Sequence, residues 1–132
     1  MTRKEARNQA FILIFEKIFS ENDIAEIIET AKESRDFVED SDGYTIKAFE
    51  GVYNNLEEID SVIAVNLSGW TISRISKVSL AILRLAVYEI KYMEDIPTAV
   101  SIDEAVELCK KYSTADDASF VNGVLGSIVK AV

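Results

Sequence analysis

The chain has 132 residues, of which 48% are hydrophobic, and this composition supports one folded domain and excludes an intrinsically disordered chain. It has no histidine, so the commonest general base and metal ligand is missing. Its single cysteine excludes an internal disulfide and suits a reducing cytoplasm. The net charge of −9 argues against nucleic acid as a partner, but residues 20–66 alone carry −10 whereas residues 1–19 carry +2.

Helical periodicity predicts three helices in the first half of the chain. Residues 3–19 carry one apolar stripe at three- and four-residue spacing. The apolar run at 11–15 is too short to cross a bilayer and no cleavage-site pattern follows it, so we predict neither a membrane span nor an export signal. A polar break then offers caps for a second helix near 23–35. The polar segment 36–43 is a predicted loop, and a long helix is predicted over 44–66.

The most apolar helix is predicted in the second half of the chain. Trp70 begins a short turn or helix that ends near Ile75. Residues 77–93 are apolar on several helical faces, so we expect them to form the central core helix. Pro97 is expected to terminate that helix.

Two further helices complete the predicted fold. The pattern Ser-x-x-Glu at 101–104 resembles a capping box and predicts a helix over 102–112. A last helix is predicted over 117–131. Seven helices joined by short loops make an all-α, bundle-like single domain, with N-terminal helices in 1–66 and C-terminal helices in 67–132.

No motif for catalysis, phosphate binding or metal binding is present. Three acidic groups could in principle serve a metal or acid–base site, but solvated faces and helix caps are the favoured interpretation. These groups are Glu39, Asp40 and Asp42; Glu57, Glu58 and Asp60; and Asp116 and Asp117. Cys109 has no histidine to activate it and lies in an apolar series, so we predict a buried core residue. The chain is therefore predicted to have no catalytic residue, metal or cofactor.

The N-terminal basic residues are the first candidates for a binding surface. Arg3 and Arg7 are four residues apart on one helical face, with Lys4 beside them. They could hold phosphates, although a merely solvated face is the alternative.

The segment around Gly123 is the second candidate. A glycine inside a predicted helix weakens that helix and indicates close helix contact or close approach of a ligand. Phe120 could stack on a base and Asn122 could read a base edge, or they could be a core residue and part of a packing notch. Trp70 could stack on a base, anchor a partner or cover the core. The residues alone favour the structural role in each case.

Several motifs in family order and spacing resemble the NusB family. The matching segments, in chain order, are residues 6–10 (ARNQA), Trp70 with Arg74 (W-x-x-x-R), 81–90 (AILRLAVYEI), 95–97 (DIP), 100–108 (VSIDEAVEL) and 120–125 (FVNGVL). The resemblance implies the two-subdomain, all-helical NusB fold. It also implies a transcription antitermination factor that binds the boxA RNA of ribosomal operons together with small-subunit ribosomal protein ten (NusE). With other Nus factors, this assembly would bind the RNA polymerase elongation complex and suppress termination.

The resemblance also implies which residues contact each partner. The RNA-binding residues it implies are Arg3, Lys4, Arg7, Phe15, Phe120 and Asn122. The residues it places at the ribosomal-protein interface are Arg74, Ser79 and Ile82. Glu5 interrupts a basic run that is often richer in arginine in the family, and Ser79 stands where relatives commonly carry an acid. The resemblance leaves open whether the chain acts as a monomer or a homodimer.

Two other functions are compatible with the sequence. NusB-like segments also precede the catalytic domain of certain ribosomal RNA cytosine methyltransferases, so the chain could be a detached RNA-binding accessory domain. Alternatively, the acidic block at 20–66 could serve a helical scaffold that binds protein only.

Overall fold

The computed structural model describes residues 1–131, which form seven α-helices and one 3-10 helix and contain no strand. The elements are α1 (Arg3–Ile18), α2 (Ile24–Glu33), α3 (Tyr44–Asn54), α4 (Leu56–Val65), the 3-10 helix (Ile72–Arg74), α5 (Lys77–Tyr92), α6 (Thr98–Tyr112) and α7 (Ala115–Ala131). The predicted all-α class is confirmed. Within these residues no helix is both long and apolar enough to span a membrane.

Helix α5 forms the centre of the core, as its sequence predicts. Every residue from Ser79 to Glu89 is buried, and the helix packs against α1, α3, α4, α6 and α7. The Ser76 side chain caps its start by accepting a hydrogen bond from the Ser79 N–H. Because its neighbours come from before and after residue 66, α5 joins the two predicted groups of helices in one core.

The prediction of one long helix over 44–66 is wrong. The chain leaves helical geometry at Asn55, where φ is −122° and ψ is 23°. The Asn55 side-chain amide donates to the Gly51 carbonyl at 2.8 Å, and this local bond competes with continuation of the helix. Helix α4 then begins at Leu56, with its own buried side chains Ile59 and Ile63.

The predicted role of Pro97 and the predicted start of the sixth helix are wrong, whereas the predicted end of the fifth helix at residue 93 lies within one residue of the observed end. Helix α5 ends at Tyr92, well before Pro97, and Pro97 is the N-cap of α6. The φ of Pro97 is −59°, a value that suits a helix start. Ser101 is therefore inside α6 and caps nothing. It is buried, and its hydroxyl donates to Glu89 at 2.7 Å.

Cys109 is a core residue, as predicted. Its side chain is fully buried, and burial raises the pKa of the thiol to about 12. The thiol is therefore protonated at neutral pH and unreactive as a nucleophile.

Two helical glycines have opposite surroundings. A Cβ atom on Gly51 would overlap the ring of Tyr88, which is itself buried. A Cβ on Gly123 would meet no atom within 4 Å. The sequence-based idea that Gly123 marks close helix contact is therefore wrong, and close approach of a ligand is the remaining interpretation.

The Gly51→Ala substitution should destabilise the fold by about 1–3 kcal/mol, because the added methyl group forces the Tyr88 ring from its site. The control is Gly123→Ala, which should stabilise α7 by about 0.5–1 kcal/mol because alanine favours a helix more than glycine does. Urea unfolding followed by far-ultraviolet circular dichroism measures both. Equal effects of the two substitutions would contradict the packing described here.

Candidate functional site

Arg7 does not lie on an exposed basic face, as the sequence had suggested. Its side chain is 6% exposed. Its Nε donates to one carboxylate oxygen of Glu89 at 2.6 Å, and its Nη2 lies 3.3 Å from the other. Glu89 also accepts hydrogen bonds from the Tyr44 hydroxyl and from the Ser101 hydroxyl. The cation predicted to hold RNA phosphates is thus bound to a carboxylate inside the protein.

The electrostatics of this network keep Arg7 charged. Burial by itself lowers the pKa of Arg7, but the hydrogen bond and the charge of Glu89 outweigh burial and leave that pKa above its usual value. Burial, and then the Glu89 charge, raise the pKa of Tyr44, so this phenol remains a hydrogen-bond donor. Arg7 is therefore a structural cation at neutral pH.

Arg3 and Lys4 reach the surface, but each has a carboxylate partner. Arg3 pairs with Asp42 at 2.6 Å, and its guanidinium lies over the Tyr44 ring, 4.6 Å from the centroid. The hydrogen bond from Arg3 lowers the pKa of Asp42 to about 2, and the Tyr44 N–H and the charge of Arg3 act in the same direction. Lys4, with 66% of its side chain exposed, pairs with Glu104 on α6 at 3.2 Å. An RNA phosphate at either cation must compete with a carboxylate.

The contact line between α1 and α6 carries candidate residues that the sequence analysis missed. The Lys111 ammonium and the Tyr112 hydroxyl both donate to the Asn8 side-chain oxygen, at 3.0 and 2.8 Å. We call Lys4, Asn8, Glu104, Lys111 and Tyr112 the α1–α6 seam. The adjacent lysines at 110 and 111 were the available signal, but their proximity to α1 depends on the tertiary structure.

A groove of about 940 Å³ runs beside this seam and receives several of its side chains. Helix α2 and the loop after it form the far wall, where Ile27 and Phe37 supply apolar surface. The groove therefore combines cations, amides and apolar surface, but five carboxylates also line it: Glu5, Glu16, Asp36, Glu104 and Glu107. A single strand bound there would depend on the cations of the seam to hold its phosphates.

Phe15 belongs to a row of aromatic rings at the end of α1. It is half-buried and lies between Phe11, at a centroid distance of 6.0 Å, and Phe19, at 5.1 Å. The row continues from Phe11 to Tyr112 at 4.9 Å and so reaches the seam. Phe19 is 66% exposed and is the ring best placed to meet a partner.

The candidates on α7 differ in exposure. Phe120 is half-buried and packs against the core. Asn122 and Gly123 are both exposed, so the Gly123 backbone, which carries no side chain, is accessible to solvent next to the Asn122 side-chain amide. This arrangement permits close approach of a base to Asn122.

Two of the three residues assigned to a protein partner are unavailable. Ser79 and Ile82 are completely buried, so their assignment to a surface is wrong. They lie on the inner faces of α5, a helix surrounded by its neighbours. Arg74 is exposed and stays a candidate. Trp70 is 53% exposed and packs outside the hydrophobic core, so it does not cover the core.

The acidic groups act as caps and ion-pair partners. Asp40 accepts hydrogen bonds from the backbone N–H groups at the start of α3, and Asp60 forms a two-point ion pair with Arg84 at 2.9 Å. Asp117 accepts a hydrogen bond from the Ser113 hydroxyl. Across residues 1–131, no cluster of three or more metal-ligating side chains could hold an ion.

Comparison with known proteins gives one consistent result. A family model described as the NusB family matches residues 4–130. A Clostridium novyi protein named transcription antitermination protein NusB is 44% identical over 133 residues, which covers 99% of this chain and 100% of that protein. A protein of the same name from Acetivibrio thermocellus is 45% identical over 130 residues, covering 98% of this chain and 90% of that one.

Solved structures agree with the sequence relatives. The structure of T. maritima NusB has a TM-score of 0.87 and 33% identity, and the match covers 98% of this chain and 92% of that one. A structure of the antitermination factors NusB and NusE in complex with dsRNA gives a TM-score of 0.87 and 31% identity, covering 98% and 97%. The all-helical fold of this chain is therefore the fold of these solved NusB structures.

The substitution Glu89→Gln should reduce the free energy of unfolding by about 3–5 kcal/mol, because it removes the nearest counter-charge of the buried Arg7 cation and leaves only Glu104, at 3.7 Å. Glu107→Gln is the control, since it removes a carboxylate from the exposed pair with Lys110 and should change stability little. Urea unfolding of both variants tests this. Similar small losses in both would show that the Arg7–Glu89 pair is not a structural requirement.

Proposed function

Because the chain belongs to the NusB family, we propose that it is a transcription antitermination factor that binds RNA with a partner protein and catalyses no reaction. Relatives that match nearly its full length carry the name transcription antitermination protein NusB. The missing histidine is compatible with a binding role. The RNA would be the boxA element of ribosomal operons, and the site of action would be the cytoplasm.

The partner would be small-subunit ribosomal protein ten (NusE). A similar solved structure contains NusB and NusE with dsRNA, which supports the pairing. The resulting complex would join RNA polymerase and other Nus factors during elongation. The exposed Arg74 is the remaining candidate from the sequence for contact with the ribosomal protein.

The observation that carries the RNA proposal is the α1–α6 seam. The Lys4 ammonium pairs with Glu104 and the Lys111 ammonium donates to Asn8, and both lysines line an open groove. Phosphates would bind these lysines and Arg3, while Arg7 holds α1 in place from the inside. Phe15, Phe120 and Asn122 would contact bases through stacking and hydrogen bonds.

The pairing of the surface cations sets the expected affinity. A phosphate at Arg3 or Lys4 must displace a carboxylate, so the gain from either contact is smaller than at a free cation. With few phosphate contacts, RNA affinity should be modest and strongly reduced by salt. A second protein would then be needed for tight binding.

A titration of labelled boxA RNA with the chain, the ribosomal protein and both together tests the proposed function. The two proteins together should bind more tightly than either alone, because each contributes contacts to one RNA. A scrambled RNA of equal length is the control and should bind more weakly. If the pair binds no better than its members, the antitermination role is wrong. Co-purification with a methyltransferase would favour an accessory-domain role.

The substitution Glu104→Gln should tighten RNA binding by about two- to fivefold, the range expected when the half-buried Glu104 carboxylate no longer competes for Lys4. Asp103→Asn is the matched control, because it removes the same charge from the neighbouring, exposed position on α6. Within residues 1–131, Asp103 forms no ion pair. Fluorescence anisotropy titrations measure both variants.

The same two substitutions in a Lys4→Ala background separate local competition from general charge. Without Lys4, Glu104→Gln should improve binding only as much as Asp103→Asn does. If its larger effect survives the loss of Lys4, competition for that lysine is not the cause.

A further inference from the structure

The loop between α2 and α3, over residues 36–43, concentrates negative charge beside the N-terminal cations. It has no base and four acids, which are Asp36, Glu39, Asp40 and Asp42. Its first residues, Asp36 and Phe37, line the groove beside the α1–α6 seam. Its last acid, Asp42, forms an ion pair with Arg3 of α1 at 2.6 Å. We call residues 36–43 the acidic loop.

Hydrogen bonds before and after Asp42 hold the acidic loop in place. The Gln9 side-chain amide of α1 donates to the Val38 carbonyl at 2.7 Å, and its oxygen accepts from the Val38 N–H at 2.9 Å. Nearer to α3, the Gly43 N–H donates to the carbonyl three residues before it at 3.1 Å. Gly43 has a φ of +69°, a value that favours glycine. Asp42 lies within this closed turn, so a fixed backbone presents its carboxylate to α1.

The atom of Arg3 that binds Asp42 decides what a phosphate can reach. A guanidinium makes two-point contacts with an oxyanion through Nη1 and Nη2, or through Nε and Nη2. Nη2 takes part in both modes, and Nη2 is the atom bound to Asp42. Nε is buried and has no hydrogen-bond partner within residues 1–131, and the guanidinium lies over the Tyr44 ring. Asp42 therefore obstructs each two-point approach of a phosphate to Arg3.

Asp42 differs from Glu104, the carboxylate that pairs with Lys4, in having a single cation. Glu104 also lies 3.7 Å from Arg7, so it keeps a partner when Lys4 binds a phosphate. Within residues 1–131, Asp42 forms an ion pair with Arg3 alone. A phosphate that takes Arg3 therefore leaves an unpaired carboxylate beside itself, and the two anions repel each other. Competition from the acidic loop thus persists after its ion pair is broken.

We propose that the acidic loop is an autoinhibitory element: Asp42 occupies Arg3 in the free chain and must leave it before Arg3 can bind an RNA phosphate. The loop restricts the use of Arg3 by a polyanion that makes no other contact. An RNA already held by several contacts can supply the phosphate that displaces Asp42. This inference rests on the proposed RNA-binding function and adds a regulation of binding at the N-terminal end of α1.

The substitution Asp42→Asn tests the competition for Arg3. It should tighten binding of labelled boxA RNA by about two- to fivefold, the range expected for loss of one exposed ion pair. It should also steepen the salt dependence of binding by up to about 0.7, because Arg3 then binds a phosphate without giving up a carboxylate. The turn should persist, since asparagine keeps an oxygen that can accept from the Tyr44 N–H. Fluorescence anisotropy measures binding, and far-ultraviolet circular dichroism checks the fold.

Glu39→Gln is the matched control. It removes one negative charge from the same loop and also breaks an exposed ion pair, that with Lys32 on α2 at 3.4 Å. It leaves Arg3 bound to Asp42. Equal tightening by the two substitutions would reveal a general charge effect and overturn the proposal. An unchanged or weaker affinity of a folded Asp42→Asn variant would also overturn it, because the ion pair would then serve only to hold α1.

Removal of the cation gives a second test. With Asp42 present, Arg3→Ala should weaken RNA binding by less than about twofold, because the lost phosphate contact had required displacement of a carboxylate. In the Asp42→Asn background, the same substitution should remove most of the two- to fivefold gain. Equal effects of Arg3→Ala in both backgrounds would show that the two residues are not coupled, contrary to autoinhibition.

The outcomes separate this inference from the proposed function. If the wild-type chain and the ribosomal protein bind boxA RNA, and Asp42→Asn binds it no more tightly than Glu39→Gln does, only the autoinhibitory role is wrong. If the wild-type pair binds no boxA RNA, the proposed function is wrong and the role of the acidic loop is wrong with it.

Discussion

The carboxylate of Glu89 is the contact on which the arrangement of the first, third, fifth and sixth helices depends. It extends from the central helix α5 and binds Arg7 on α1, Tyr44 on α3 and Ser101 on α6. A buried ion pair of this kind is weak evidence for net stability, because removing two charges from water is costly. Its geometric effect is stronger, since a shift of α1 would separate two buried charges and a shift of α6 would remove the Ser101 hydrogen bond from Glu89. The buried network thus constrains the position of helices whose outer faces form the candidate RNA site.

The surface cations are positioned as a consequence of this inward-facing arginine. Arg3 lies one helical turn before Arg7, so it lies at the edge of the same face, over the Tyr44 ring. Lys4, one residue further round the helix, is directed towards α6 and meets Glu104. A change that released Arg7 would therefore disturb the binding surface without touching RNA, and reduced RNA binding in an Arg7 variant would not identify Arg7 as a phosphate contact.

Features that depend on the local residue pattern were predicted correctly from the sequence. Features that depend on contacts between residues far apart in the chain were predicted wrongly. Helix α5 was predicted as the core helix because its apolar residues cover several faces. Arg7 was misplaced because its partner is 82 residues away in the chain, and no helical periodicity reveals that distance. The Ser101 pattern looked like a cap for the same reason, since its hydroxyl is bound to Glu89 instead. The break at Asn55 was missed because the apolar spacing continues through it, whereas the break itself depends on one side-chain amide. Family resemblance likewise assigned Ser79 and Ile82 by position and could not supply their burial.

The pairing of cations with acids also bears on selectivity. In a chain of net charge −9, nonspecific attraction to RNA is weak, because the whole molecule repels the phosphate backbone at long range. At the seam, the Glu104 carboxylate adds a short-range competitor that an RNA phosphate must displace from Lys4. Discrimination between RNAs then depends on contacts that a generic polyanion cannot make, such as base stacking and hydrogen bonds to base edges. A partner protein bound to the same RNA adds its own contacts only when both proteins can engage at once. Because both proteins must bind the same RNA at once, each can bind weakly by itself while the pair still assembles selectively on one RNA element.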